Sequence, residues 1–151
     1  METTKAESAN LVLKLYELRR DPEMREAREW YFTKFKPQSA EEIVKLLTES
    51  FEGSRYYRMV TSYWDMAASL VNNGAIDRTV FLDANTEHVA IFARVQPFLA
   101  EVQKMYRPTY LKQLETIVMT IPDVEKLLAG RTKLLDGWNK AAQKSSDVGF
   151  R

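Results

Sequence analysis

Four side chains near the middle of the chain, Arg58, Asp65, His88 and Arg94, are of types that can do chemistry, and Asp83 and Glu87 lie among them. Carboxylates and an imidazole are the groups of acid–base catalysis. His88 is the chain's only histidine. The same residues set among apolar neighbours are also what ordinary helical packing with polar caps looks like. Their spacing decides which further chemistries are open.

Arg58, Ser62, Asp65, Ser69 and Asn72 recur at steps of four, three, four and three, so a helix would gather them into one polar stripe. Such a stripe either faces a ligand or is solvated and paired within the protein. Arg94 sits between Phe92, Ala93 and Val95. A guanidinium in apolar surroundings calls for a carboxylate, because an unpaired buried charge is costly. Asp65 is the partner predicted for it, as a register-fixing ion pair or a substrate-binding one. His88 heads the apolar run Ile91, Phe92, Val95 and reads as a packed or hydrogen-bonded residue before it reads as a catalyst. Arg58, Asp65, His88 and Arg94 together are the candidate binding cluster; no catalytic residue is assigned.

Other chemistries are excluded by what is missing. A carboxylate-bridged di-iron bundle uses Glu-x-x-His on two helices, whereas Glu87 and His88 are adjacent and point about 100° apart on a helix. With no cysteine and one histidine, tetrahedral zinc lacks ligands, and no loop of alternating acids offers an all-oxygen site. No metal and no cofactor is predicted. The chain has no Gly-x-Ser-x-Gly elbow, no Gly-x-x-x-x-Gly-Lys and no Gly-x-Gly-x-x-Gly. The segment LVNNGAIDRTVFLD imitates a helix-turn-helix, but its second helix carries Arg78 against Asp77 and Asp83. Phosphate contacts require several bases there, so no nucleic-acid partner is predicted.

The elements that must position these residues are helices. Leu11, Val12, Leu15, Tyr16 and Leu18 have helical spacing and predict one apolar face on a helix over 6–18. Asp21-Pro22-Glu23 starts a second helix to about Phe35, with Asp21 as its cap and Pro22 at the first helical position. Pro37 stops it. Ser39 and Glu42 form a capping box for a short third helix to about Ser50. The central helix spans 54–73 and ends at Gly74, which can take the left-handed conformation of a helix stop. Asp77 caps a brief helix to about Asp83, and Thr86 caps one that reaches Met105 with a kink at Pro97. Pro108 and Pro122 mark two further starts, Gly130 can split the last helix, and residues after about 144 are predicted to fray. The fold class is all-α: one domain over 1–151, a bundle of six to eight helices with short loops.

Composition agrees with that architecture. Charged residues number 19 in positions 1–50, 9 in 51–100 and 15 in 101–151, which marks the middle third as the interior. A net charge of +1 supplies no field to steer the chain onto nucleic acid or lipid. No uncharged run approaches the roughly 20 apolar residues of a spanning helix, and the amino terminus does not read as a secretory signal. The absence of cysteine suits a reducing compartment, so a cytoplasmic location is predicted.

The runs YWDMAASLVNNGAIDRTVFLD and VQPFLAEVQKMYRPTYLKQLE resemble the core of a bacterial family, domain of unknown function 4760. The shared elements are the turn Asn73 to Asp77, the pair Pro97-Phe98 and the pair Arg107-Pro108, within about Tyr56 to Glu115. The resemblance implies an all-helical bacterial protein with no assigned activity. Many members carry an apolar amino-terminal anchor, which is not seen here. The functional expectation is a non-enzymatic helical module that binds another protein or itself. The alternative is a small-molecule binder or enzyme with a pocket between the central helix and the helix from Thr86, lined by Met59, Tyr63, Met66, Phe92 and the Asp65–Arg94 pair.

Overall fold

The computed structural model describes residues 3–148, and among these every regular element is helical. In chain order they are α1 (Lys5–Arg19), α2 (Pro22–Thr33), α3 (Ala40–Thr48), α4 (Ser54–Asn72), α5 (Arg78–Ala84), α6 (Glu87–Val95), α7 (Leu99–Met105), α8 (Lys112–Met119) and α9 (Val124–Val148). A 3-10 turn over Gln96–Phe98 joins α6 to α7. These two helices and the turn form the kinked helix predicted at Pro97, which leaves eight helical bodies in an all-α bundle.

Local chemistry sets most of the starts. Asp21 accepts from the Glu23 and Met24 amides, and Asp77 accepts from the Val80 amide at 2.9 Å. Ser39 accepts from the Glu42 amide at 3.3 Å, and the Glu42 carboxylate reaches back to the Gln38 amide at 2.9 Å, one residue before the cap. Thr86 departs from expectation: its side chain caps nothing, and α6 begins with its carbonyl accepting from the Val89 amide. Pro108 and Pro122 precede helices rather than open them, because Leu111 and Asp123 take positive φ just before α8 and α9 start. Gly130 does not split α9, which runs unbroken to Val148; residues 149–151, within the stretch predicted to fray, lie outside the described residues.

α4 is the hub. Its buried side chains Tyr57, Val60, Trp64, Ala67 and Val71 meet α2 on one side and α8 on the other, while α9 lies across α6 and α2. The backbone turn into α4 depends on Gly53 (φ +92°), where an added Cβ would fall 2.4 Å from the Trp30 ring. Gly53→Ala combines that clash with left-handed strain and should lower the urea midpoint well beyond the change made by Ala at Gly74 (φ +79°), where nothing lies within 4 Å. Trp64, Phe92 and Val95 are fully enclosed, and Tyr63 and Leu70 are half-buried.

α1 breaks its predicted pattern. Only Leu15 and Ser8 on it are buried, while Leu11, Tyr16 and Leu18 face outwards. The apolar residues at 11–18 are distributed around the helix rather than along one face, so only a narrow strip of it can pack on α5 and α2.

Candidate functional site

Asp65 lies half-buried on the polar stripe of α4 and accepts from the Leu114 amide at 2.9 Å. Burial, the larger effect, pushes its carboxyl above the usual carboxylate range, while the nearby Leu114 and Gln113 amides favour the charged form and pull it down. Leu111, at φ +51°, turns the chain so that the first amides of α8 point at α4. α8 has no side-chain cap of its own, so Asp65 caps it from a neighbouring helix. Asn72, two turns along the stripe, donates to the Gln113 carbonyl at 3.0 Å. Asp65→Ala should cost about 1 to 2 kcal/mol by urea titration, the range of a lost helix cap, whereas Asp65→Asn should retain part of it.

The same stripe borders an open cleft of about 370 Å³ that also takes Arg58, Met66, Tyr106, Arg107 and Tyr110. At its inner end the Tyr57 and Tyr110 hydroxyls share a hydrogen bond, 2.5 Å between oxygens, and burial pushes both phenols well above their usual range. Both phenols therefore stay protonated near neutral pH. The cleft lies beside the α7–α8 connection rather than between α4 and α6, where Phe92 is sealed in the core.

Arg94 is not paired with Asp65. Its Nη1 reaches Asp136 at 2.7 Å, its Nη2 reaches the Asn139 side-chain oxygen at 2.8 Å, and its Nε donates to the Phe35 carbonyl at 3.2 Å. Asn139 in turn donates to the Phe32 carbonyl at 2.9 Å. The guanidinium thus ties the end of α2 to α6 and α9, and three directed bonds satisfy a residue only 5% exposed. Its hydrogen bond holds the Asp136 carboxyl below the usual carboxylate range.

His88 is 1% exposed and packs against the Trp64 and Phe81 rings, with centroids 5.8 and 5.2 Å away. Neither ring nitrogen has a hydrogen-bond partner. Burial lowers its pKa to about 4, and the Arg131 charge adds to the shift. Neutral in the fold, it takes up a proton on unfolding anywhere between pH 4 and 6.5. Stability is therefore fully present above about pH 6.5 and falls by about 3 kcal/mol as the pH drops towards 4. His88→Phe should flatten that part of the pH–stability curve; an unchanged curve would show that His88 is not the group responsible.

Among the described residues, the four candidates share no hydrogen bond or ion pair: Arg58 and Asp65 border the cleft, Arg94 is in the α2–α6–α9 junction, and His88 is enclosed. Sequence reasoning missed a second polar centre. Glu87 accepts from Arg28 through both carboxylate oxygens, the shortest contact being 2.6 Å, and from the Trp64 indole at 3.1 Å; Arg19 stands 3.7 Å away. The available signal was the run of arginines at 19, 20, 25 and 28. Beside Glu87 they line a cleft of about 410 Å³ with Tyr16.

The family model described as Domain of unknown function (DUF4760) matches residues 4–120, more than half of the chain. The chain belongs to this family. The match takes in α1 to α8, and with them Asp65, Glu87 and the arginine cleft. α9 lies beyond it, so Asp136 and Asn139, which hold Arg94, come from outside the part that defines this DUF4760 protein as a member. No curated protein and no solved structure matches the chain. Among the described residues no helix is long and apolar enough to cross a membrane, and no group of three or more His, Asp or Glu side chains could hold a metal ion.

Proposed function

We propose that this DUF4760 protein is a non-enzymatic module that associates with a second copy of itself through α1. The observation that carries this reading is the solvent face of that helix. Leu13 is 60% exposed, Tyr16 50% and Leu18 44%, with Leu11 beside them, in one short segment. Isolated exposed leucines are common on soluble proteins, but here Leu11 and Leu18 stand on one flank of the helix and Leu13 and Tyr16 on the other, so both flanks offer apolar surface to a partner.

A second copy suits this surface electrostatically. Exposed Lys14 and Glu17 alternate with the apolar residues, so an antiparallel pairing of two α1 helices brings each lysine towards the other copy's glutamate. A net charge of +1 opposes such a pairing very little. The acid–base residues support a binding role as well, since His88 is enclosed, Asp65 caps α8 and the buried tyrosines are held protonated.

Sedimentation velocity over a concentration series tests the proposal. The expected result is a reversible dimer that Leu13→Glu with Leu18→Glu converts to a monomer of unchanged helicity. A wild-type chain that stays monomeric up to millimolar concentration would overturn self-association and leave a different protein as the occupant of α1.

A further inference from the structure

We propose that the cleft between the end of α1 and α2 is a binding site for a phosphate group carried on a small anion. Four guanidiniums, from Arg19, Arg20, Arg25 and Arg28, line it together with Tyr16. Like charges gathered this way repel unless an anion lies among them.

The protein supplies only part of that anion. Glu87 engages Arg28 bidentately and Arg19 at 3.7 Å, and among the described residues Arg20 and Arg25 form no ion pair. The other nearby acids contact different groups: Asp21 caps α2, Glu23 pairs with Arg55 and Glu26 accepts from Tyr56. Of the four guanidiniums only those of Arg19 and Arg28 are within ion-pair distance of a carboxylate, and both share Glu87. The buried Nε of Arg19 has no hydrogen-bond partner.

Two of the four are also held in place. Glu87 fixes Arg28, and Arg19 lies over the rings of Trp64 and Tyr16, 5.3 and 5.7 Å from their centroids. Arg20 and Arg25 are exposed and line the cleft without an ion-pair partner among the described residues, Arg20 lying 5.8 Å over the Tyr16 ring. Planar guanidinium forks match the tetrahedral oxygens of phosphate, and a space of about 410 Å³ admits a phosphate or diphosphate with a small organic body. The shared chemistry is the phosphate monoester or diphosphate, whether on a soluble metabolite or on a lipid headgroup such as phosphatidate. The inference does not depend on pairing through α1.

Calorimetric titration of the full chain with pyrophosphate, together with flotation on phosphatidylcholine vesicles with and without phosphatidate, tests it. The expected result is saturable one-to-one binding that Arg20→Ala with Arg25→Ala weakens about tenfold or more, with the ligand-free urea midpoint unchanged because neither side chain is paired. Binding of pyrophosphate assigns a soluble ligand; binding only of phosphatidate vesicles assigns a lipid headgroup. Absence of both, equal heat from sodium chloride at matched ionic strength, or binding indifferent to the double substitution would overturn the site. Failure of self-association with pyrophosphate binding intact would refute the α1 proposal alone.

Discussion

Trp64→Ala lowers the unfolding free energy by about 3 to 5 kcal/mol in a urea titration, the range for truncating a large buried aromatic. Trp64 has no exposed surface and is packed edge-on against Tyr63 and Phe81, with His88 alongside. Removing the indole opens a cavity at the hub of the bundle and deletes a hydrogen bond to Glu87. It also takes away the ring beneath Arg19. Trp64→Phe separates these effects: it keeps most of the volume and loses the N–H, so it should cost about 1 to 2 kcal/mol. A midpoint that does not move for Trp64→Ala would remove this residue from the core and with it the placement of α4 against α6.

Arg94→Ala has an expected cost of similar size, about 3 to 5 kcal/mol, as for breaking a buried ion pair from one side. The substitution leaves the Phe35 carbonyl and the Asn139 side-chain oxygen without their donor, and Asp136 keeps only its 3.5 Å contact with Lys36. Replacing the set together, with Arg94→Met, Asp136→Leu and Asn139→Leu, should recover much of the loss, because no buried charged group then remains without its partner and Lys36 is exposed. Arg94→Ala and Asp136→Ala should couple in a double-mutant cycle. Arg94→Ala and Asp65→Ala should add, since the two residues share no partner. Coupling between Arg94 and Asp65 would contradict the observed hydrogen bonds and restore the pairing suggested by residue type alone.

Much of the bundle is decided within a few residues of each point along the chain. Asp21, Ser39 and Asp77 cap helices because a short side chain reaches an amide two or three positions ahead, and such contacts are visible in the sequence. Gly74 stops α4 in the left-handed region, and Pro97 breaks the helix from Glu87 to Met105, for equally local reasons. The low charge of positions 51–100 likewise marks the interior, where Trp64 lies. Side-chain partners are a different matter, because they depend on how each helix is rotated and which neighbour it crosses. Arg94 finds Asp136 and Asn139 more than forty positions away, on a helix that the spacing of its own neighbours says nothing about. Asp65 caps α8 only because Leu111 adopts a positive φ that no glycine announces. The outward leucines of α1 and the arginine cleft beside Glu87 also arise from docking. Periodicity shows that a helix has apolar residues, whereas the neighbours available to it decide which of them are covered.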